Sequence, residues 1–310
     1  MKKWTTKDIP DLSGKQVIVT GANSGLGYEI SKALVEKHAS IVMACRNTES
    51  GENAKKRILT HHPKAKLVVK SLDLASLESI KAFSETIRLE YNRIHILINN
   101  AGVMAPPHGE TKDGFELQFG TNHVGHFVLS AKLFPLLRKT EQSRIVTVSS
   151  IASHNGEIHF EDVNFKTKYN RWKTYQQSKL ANLMFSFELD KRLETSNFKT
   201  RSYAAHPGVS DTNLFKNMKP NWFMKVLGNL LMPIITQPAE KGALPILYAA
   251  TSPDAEPGNF YGPHGKKEHK GYPTEAFIPE AAKNEVDREK LWDLTESLSG
   301  VTFNVCQEEK

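Results

Sequence analysis

Tyr175 and Lys179 stand four residues apart in a segment, 172–193, whose apolar spacing predicts a helix. Both therefore fall on one face, with the ammonium in reach of the phenol oxygen. A free tyrosine titrates near 10, so acid/base work near neutral pH requires a shift of about three units, roughly 4 kcal/mol. A unit charge about 4 Å away, at an effective dielectric near 20, is worth about that much. Tyr and Lys at this spacing are also frequent on exposed helices, and the pair gains meaning from its company. Ser149-Ser150 closes a predicted strand, 144–148. Gly21, Gly25 and Gly27 follow the β-branched run Val17-Ile18-Val19 and precede Ile30, Ala33, Leu34 and Val35 at helical spacing. Strand, glycine turn and helix let a backbone approach a pyrophosphate, whose charge is drawn to the free N–H groups of the helix start. The spacing is Gly-x-x-x-Gly-x-Gly rather than the usual Gly-x-Gly-x-x-Gly, so taken alone a turn serving only close packing is the alternative.

The elements that must position these groups alternate along the chain. Strands are predicted at 40–44, 66–70, 94–98, 144–148 and 201–205. Helices fall between them, including one from Ser76 to about Glu90, one over 112–138 and one over 172–193. This order predicts an α/β fold, a doubly wound parallel sheet (Rossmann fold) in a single domain, with its ligand site beyond the carboxyl ends of the strands. Those ends carry Gly21, Arg46, Asp73, Asn99, Ser149-Ser150 and His206-Pro207-Gly208. The expected core spans about 13–212 and 238–260, with a substrate lid over 213–237 and a C-terminal tail over 261–310. Within that tail, Leu291, Trp292, Leu294 and Leu298 predict a last helix docked by its apolar face, and 253–273 reads as a surface excursion.

Composition narrows the class. The chain has 310 residues, a formal charge of +7 and a hydrophobic fraction of 39%, ordinary for a soluble globular protein. The basic residues are scattered without interleaved aromatics, which argues against a nucleic-acid partner, while a positive field favours a phosphorylated ligand. Two distant cysteines, Cys45 and Cys306, suit a reducing compartment. The first residues hold no apolar core, and the most apolar stretch, 222–235, is interrupted by Lys225, Asn229 and Pro233. The expectation is therefore a cytoplasmic protein with no transmembrane segment.

In order, Thr20-Gly21-Ala22-Asn23-Ser24-Gly25-Leu26-Gly27, Asn99-Asn100-Ala101-Gly102, Ser149-Ser150, Tyr175-Gln176-Gln177-Ser178-Lys179 and Pro207-Gly208 resemble the motif series of the short-chain dehydrogenase/reductase family, over about 13–212. The resemblance implies hydride transfer between a nicotinamide cofactor and a carbonyl or alcohol. It makes Tyr175 the acid/base, with Lys179 lowering its pKa and holding the nicotinamide ribose. Ser150 would bind the substrate oxygen, with Ser149 as the fallback, and Asn122 would anchor a water relay to the lysine. Cofactor contacts fall on Gly21, Asn23, Ser24, Gly25, Leu26 and Gly27, on Asp73 and Leu74 beside the adenine, on Asn100, Ala101 and Gly102 as floor, and on Pro207, Gly208 and Thr212. Arg46, just past the second strand with no carboxylate before Glu49, suits the 2′-phosphate of NADP rather than the ribose hydroxyl of NAD. Family practice implies a homodimer or homotetramer through the helices near 112–138 and 174–193.

The long serine-to-tyrosine link, with Ala44-Cys45-Arg46-Asn47 and Ser178-Lys179-Leu180-Ala181-Asn182, resembles the retinol-dehydrogenase-like branch. A medium-sized, partly apolar substrate follows. The apolar segment 213–237 suits a lid, a core helix or a subunit contact equally, and Lys219 and Lys225 permit peripheral membrane contact. His123 and His126 lack a third partner at metal-ligand spacing, so they read as satisfied or solvated histidines and no metal is expected. His206 receives no catalytic role, and Asp211 and Glu157 read as solvated acids. Two other readings stay open: a cofactor-binding sensor or scaffold without catalysis, and an epimerase or dehydratase using the same Tyr-Lys pair.

Overall fold

The computed structural model describes residues 3–211 and 236–305. Its strands are β1 (Gln16–Thr20), β2 (Ser40–Cys45), β3 (Leu67–Ser71), β4 (Ile96–Asn99), β5 (Arg144–Val148), β6 (Arg201–Ala205), β7 (Ser210–Asp211), β8 (Gln237–Pro238), β9 (Phe260–Pro263) and β10 (Pro273–Glu275). Eight of them form one sheet in the order β10-β9-β6-β5-β4-β1-β2-β3, parallel except for the edge strand β10, while β7 and β8 pair separately. The strand order reverses between β1 and β4, which opens a crevice at their carboxyl ends.

Side-chain alternation sorts the core into two layers. Ile18, Val42, Leu97, Ile145 and Ala204 face α3 (Leu77–Glu90), α5 (Gly125–Leu137) and α6 (Arg171–Thr195). Val17, Val19, Ile41, Met43, Ile98 and Val146 face α1 (Gly25–Val35), α2 (Thr48–His61) and α7 (Leu244–Thr251). Burial on both faces is why these strands read as continuous apolar runs.

The structure departs from expectation in two places. The helix expected over 112–138 begins later, as the single turn α4 (Leu117–Phe119), and passes through a π turn (Gly120–Val124) before α5. Glu116 sets that start by accepting the Phe119 N–H at 2.7 Å. Second, the region assigned to a tail contributes β9 and β10 to the main sheet, so 253–273 is only partly a surface excursion. One face of α5 and α6 is covered by the C-terminal part of the chain. Trp292 of the last helix, α8 (Glu285–Ser299), and Phe303 pack against Phe127 and Phe185. Leu291 and Trp292 are buried there, as their spacing predicted.

Among the described residues no helix is long and apolar enough to cross a membrane. Thr212 and almost all of the segment 213–237 lie outside the described residues; only its last two positions, Thr236 and Gln237, fall within them.

Candidate active site

The glycine turn is built as its sequence requires. Gly21 has φ +67°, a left-handed conformation that leads the chain out of β1. Gly27 lies so near the turn that a Cβ there would stand 2.3 Å from the Gly21 carbonyl oxygen. Ser24 caps α1 by position but makes no side-chain cap bond, and no acidic residue occupies the first turn. The first amides of an 11-residue helix are thus left for an anion. A cavity of about 320 Å³ opens over them. Every residue expected of the nucleotide half lines it: Gly21, Asn23, Ser24, Gly25, Leu26, Gly27, Arg46, Asp73, Leu74, Asn100, Ala101 and Gly102. Arg46 is exposed at its rim, while Asn47 beside it caps α2 through the Ser50 N–H at 2.8 Å. Size, uncapped amides and a rim cation fit a phosphorylated dinucleotide.

A second cavity, about 370 Å³, continues from the first, sharing Leu26, Asn100, Gly102, Val103 and Met104 with it. Its wall includes Ser150, Tyr175, Lys179, Pro207 and Gly208, so the structure brings these expected residues together. Trp172, one turn before Tyr175, Gln176 beside it, and Ile151, Ala152, Asn155 and Val209 complete it. Both serines line the cavity, but Ser149 spends its hydroxyl proton on the Lys179 carbonyl at 2.7 Å, whereas Ser150 lies beside the Tyr175 phenol and favours its ionised form.

Asn122 lines neither cavity. Its side chain clamps Val103, accepting that N–H at 2.8 Å and donating to its carbonyl at 3.0 Å, and donates to Ser178 at 2.9 Å. The π turn thereby fixes the strand-end segment shared by both cavities.

The electrostatics differ from the simple Tyr–Lys argument. Burial pushes the Tyr175 phenol up to about 12, with Ser150 pulling the other way. Burial likewise pushes the Lys179 ammonium down to about 8. Lys179 Nζ turns to the Val148 carbonyl at 3.1 Å and stands 5.9 Å from the Tyr175 ring centre. Spacing put the two on one face, but desolvation of both outweighs their mutual field in this state.

Other histidines also find places. His126 is buried between Thr20 and the Asn122 carbonyl, and His123 between aromatic rings and the Thr295 hydroxyl. Both are buried rather than solvated; His126 has both ring nitrogens hydrogen-bonded, while His123 leaves Nδ1 without a partner. The side chain of Glu157 is exposed, and that of Asp211 lies outside the description.

One group of potential ligand atoms does cluster among the described residues, His154, His206 and Glu268, all within 4.8 Å of one another. The Gly208 N–H points at His206 Nδ1 at 3.1 Å, so the ring proton sits on Nε2 and is donated to Glu268 at 2.9 Å. A metal would need that same Nε2 lone pair. The cluster is therefore a hydrogen-bonded clamp, joining the loop 264–270 to the wall formed by Pro207 and Gly208. Sequence reasoning passed over Glu268, since 62 residues separate it from His206 and no local pattern marks it.

Comparison with known proteins decides the family. Residues 15–221 match the short chain dehydrogenase family. The chain belongs to that family. Retinol dehydrogenase 14 of Mus musculus is 39% identical over 302 residues, covering 94% of this chain and 87% of that protein. Retinol dehydrogenase 13 of Homo sapiens is 41% identical over 300 residues, covering 94% and 86%. A solved but uncharacterised protein from Mycobacterium paratuberculosis is 37% identical, with TM-score 0.82 and coverage of 98% and 100%. The Pseudomonas aeruginosa protein RhlG, solved with NADP, shares the fold at 21% identity and TM-score 0.65 over 81% and 94%. The short chain dehydrogenase fold thus stands on both sequence and structure, and the oxidoreductase activity class on the family match and the retinol dehydrogenase relatives.

Proposed function

We propose that this short chain dehydrogenase is an NADP(H)-dependent oxidoreductase acting on the carbonyl or alcohol of a medium-sized, partly apolar substrate. One observation carries the reading: two adjoining cavities, one suited to a phosphorylated dinucleotide, meet where Ser150, Tyr175 and Lys179 face the second. The mainly apolar wall beside Tyr175, and the names of the retinol dehydrogenases it resembles, support an apolar alcohol or aldehyde. NADP is favoured over NAD because Arg46 stands at the rim of the nucleotide cavity with no carboxylate partner among the described residues.

A bound nicotinamide supplies or takes the hydride at the substrate carbon. In the reductive direction the Tyr175 hydroxyl gives its proton to the carbonyl oxygen, and Ser150 donates a hydrogen bond to that oxygen. Lys179 holds positive charge behind the phenol as it becomes a phenolate, an effect strongest where water is excluded. Asn122 keeps the Val103 segment in register with both cavities. A reducing, cytoplasmic setting belongs to the same reading, supported by the buried free thiol of Cys45.

The test is NADPH consumption across a panel of aldehydes, ketones and quinones, with NADH in parallel. Turnover of an apolar carbonyl, faster with NADPH than with NADH, is expected. Dinucleotide binding without turnover of any carbonyl or alcohol would overturn the enzyme reading in favour of a sensor.

A further inference from the structure

At the point where β1 and β4 part, a buried hydrogen-bond chain runs beneath the nucleotide cavity. His126 Nδ1 lies 2.9 Å from the Asn122 carbonyl oxygen, and its Nε2 lies 2.9 Å from the Thr20 hydroxyl. A carbonyl oxygen only accepts, so the ring proton sits on Nδ1 and Nε2 must accept from Thr20. The hydroxyl's alternative acceptor, the Ile98 carbonyl, is 3.4 Å away and weaker. With its proton directed into the ring, Thr20 Oγ1 keeps its lone pairs for two backbone donors, the N–H groups of Asn100 and Ala101, each at 2.9 Å. The Asn100 side chain then ties back to the Thr20 carbonyl at 2.7 Å. Asn100 and Ala101 line the cavity.

We propose that His126 is a positioning residue for the nucleotide cavity: its Nδ1–H tautomer sets the direction of the Thr20 hydroxyl, which holds the Asn100-Ala101 floor against the end of β1. The proposal rests on the reading of that cavity as the dinucleotide site. His126 touches neither cavity, and it binds α5 to the floor through a ring that accepts at one end while donating at the other. Burial keeps the ring neutral, and the Lys179 charge acts in the same direction. The groups in contact with it are Thr20 and the Asn122 carbonyl, with His123 and Lys179 as the neighbouring titratable groups.

Asparagine and glutamine divide the two ends of the ring between them. In His126→Asn the amide can still donate to the Asn122 carbonyl but does not reach Thr20. In His126→Gln the longer side chain restores an acceptor for the Thr20 hydroxyl. The experiment titrates the full-length protein with NADPH by fluorescence and measures amide hydrogen exchange at Asn100 and Ala101 in the unliganded protein. For H126N, NADPH affinity is expected to fall about tenfold and the two amides to exchange about tenfold faster, the worth of one buried hydrogen bond. H126Q is expected to recover most of both losses. Thr20→Val should lose at least as much as H126N, and the double variant T20V/H126N should be no worse than T20V.

Equal behaviour of H126N and H126Q, or additive losses in the double variant, would overturn the proposal. If the wild-type protein binds neither NADPH nor NADH, the dinucleotide reading itself fails. The exchange rates would then still decide whether His126 holds the floor.

Discussion

The two halves of the cleft are built by different means. The nucleotide half is assembled from the ends of adjacent strands and the start of one helix, and its left-handed positions Gly21 and Gly25 are glycines. The substrate half is drawn together from 148–155, 172–179 and 206–209. The loop that braces it places Lys267 and Glu268, residues with side chains, at φ 55° and 56°. Such residues hold that conformation at a cost of about 1–2 kcal/mol each, so the surrounding bonds must enforce it. Here Glu268 does so, through His206 and the Phe277 N–H. The comparison teaches that the first half is a preformed receptor for a common ligand, while the second is a bespoke wall held by long-range polar contacts.

The largest separation between the halves should come from Tyr175→Phe. Turnover is expected to fall about 10³-fold or more, since the proton donor is lost, while NADPH affinity stays within about twofold. Stopped-flow turnover and fluorescence titration measure the two independently, and full turnover in the variant would remove the proposed donor.

Lys179→Met comes next, because the lysine serves chemistry at the expense of stability. Turnover should fall roughly 10²-fold. The unliganded protein should become more stable at pH 7, because the gap between the ordinary 10.5 and about 8 corresponds to about 3 kcal/mol of burial penalty. Below pH 8 both folded and unfolded chains carry the charge and the wild type bears the full penalty. Between 8 and 10.5 the folded lysine releases its proton while the unfolded one keeps it, so wild-type stability rises with pH and the variant's advantage vanishes. The Val148 carbonyl keeps a donor in the variant, Asn182 at 3.1 Å. Urea unfolding at pH 7 and pH 10 is the check; a variant no more stable at pH 7 would contradict the burial argument.

Arg46→Asp sharpens the nucleotide half. Loss of a charge-assisted contact and introduction of a like charge should raise the KM for NADPH about 10- to 100-fold and shift preference toward NADH. Steady-state kinetics with both cofactors would expose an unchanged preference, which would place the arginine outside recognition.

The same contrast explains what the sequence made legible. The strands Arg144–Val148 and Arg201–Ala205, the cap at Ser76 and the glycine turn follow from local periodicity and glycine placement within short stretches, and the rest of the nucleotide lining from the family resemblance of its motifs. The late start of α4 did not, because Glu116 acting as a cap competes with an apolar pattern that continues through it. Nor did the ionisation of Tyr175 and Lys179, since spacing reports proximity but not how dry the site is. Glu268 was invisible because its partners, His206, His154 and Phe277, meet it only in three dimensions.

Glu268 therefore gives the smallest effect and the finest test of the comparison. Burial alone would raise its carboxyl, yet the His206 hydrogen bond and the Phe277 N–H hold it below the usual range, so it is charged at neutral pH and fully engaged. Glu268→Ala removes the acceptor for His206 Nε2–H, whose other nitrogen fixes the Gly208 N–H. The wall at Pro207 and Gly208 should loosen while the floor at Asn100 and Ala101, tied to Thr20, does not. The expected result is a KM for the carbonyl substrate raised about fivefold, the equivalent of about 1 kcal/mol, with KM for NADPH unchanged within about twofold. Glu268→Gln keeps an oxygen for His206 and should recover most of the loss. Faster amide exchange at Gly208 and Val209 in the alanine variant alone would tie the kinetic change to that wall; equal loosening of Asn100 and Ala101 would show that the two halves move as one body.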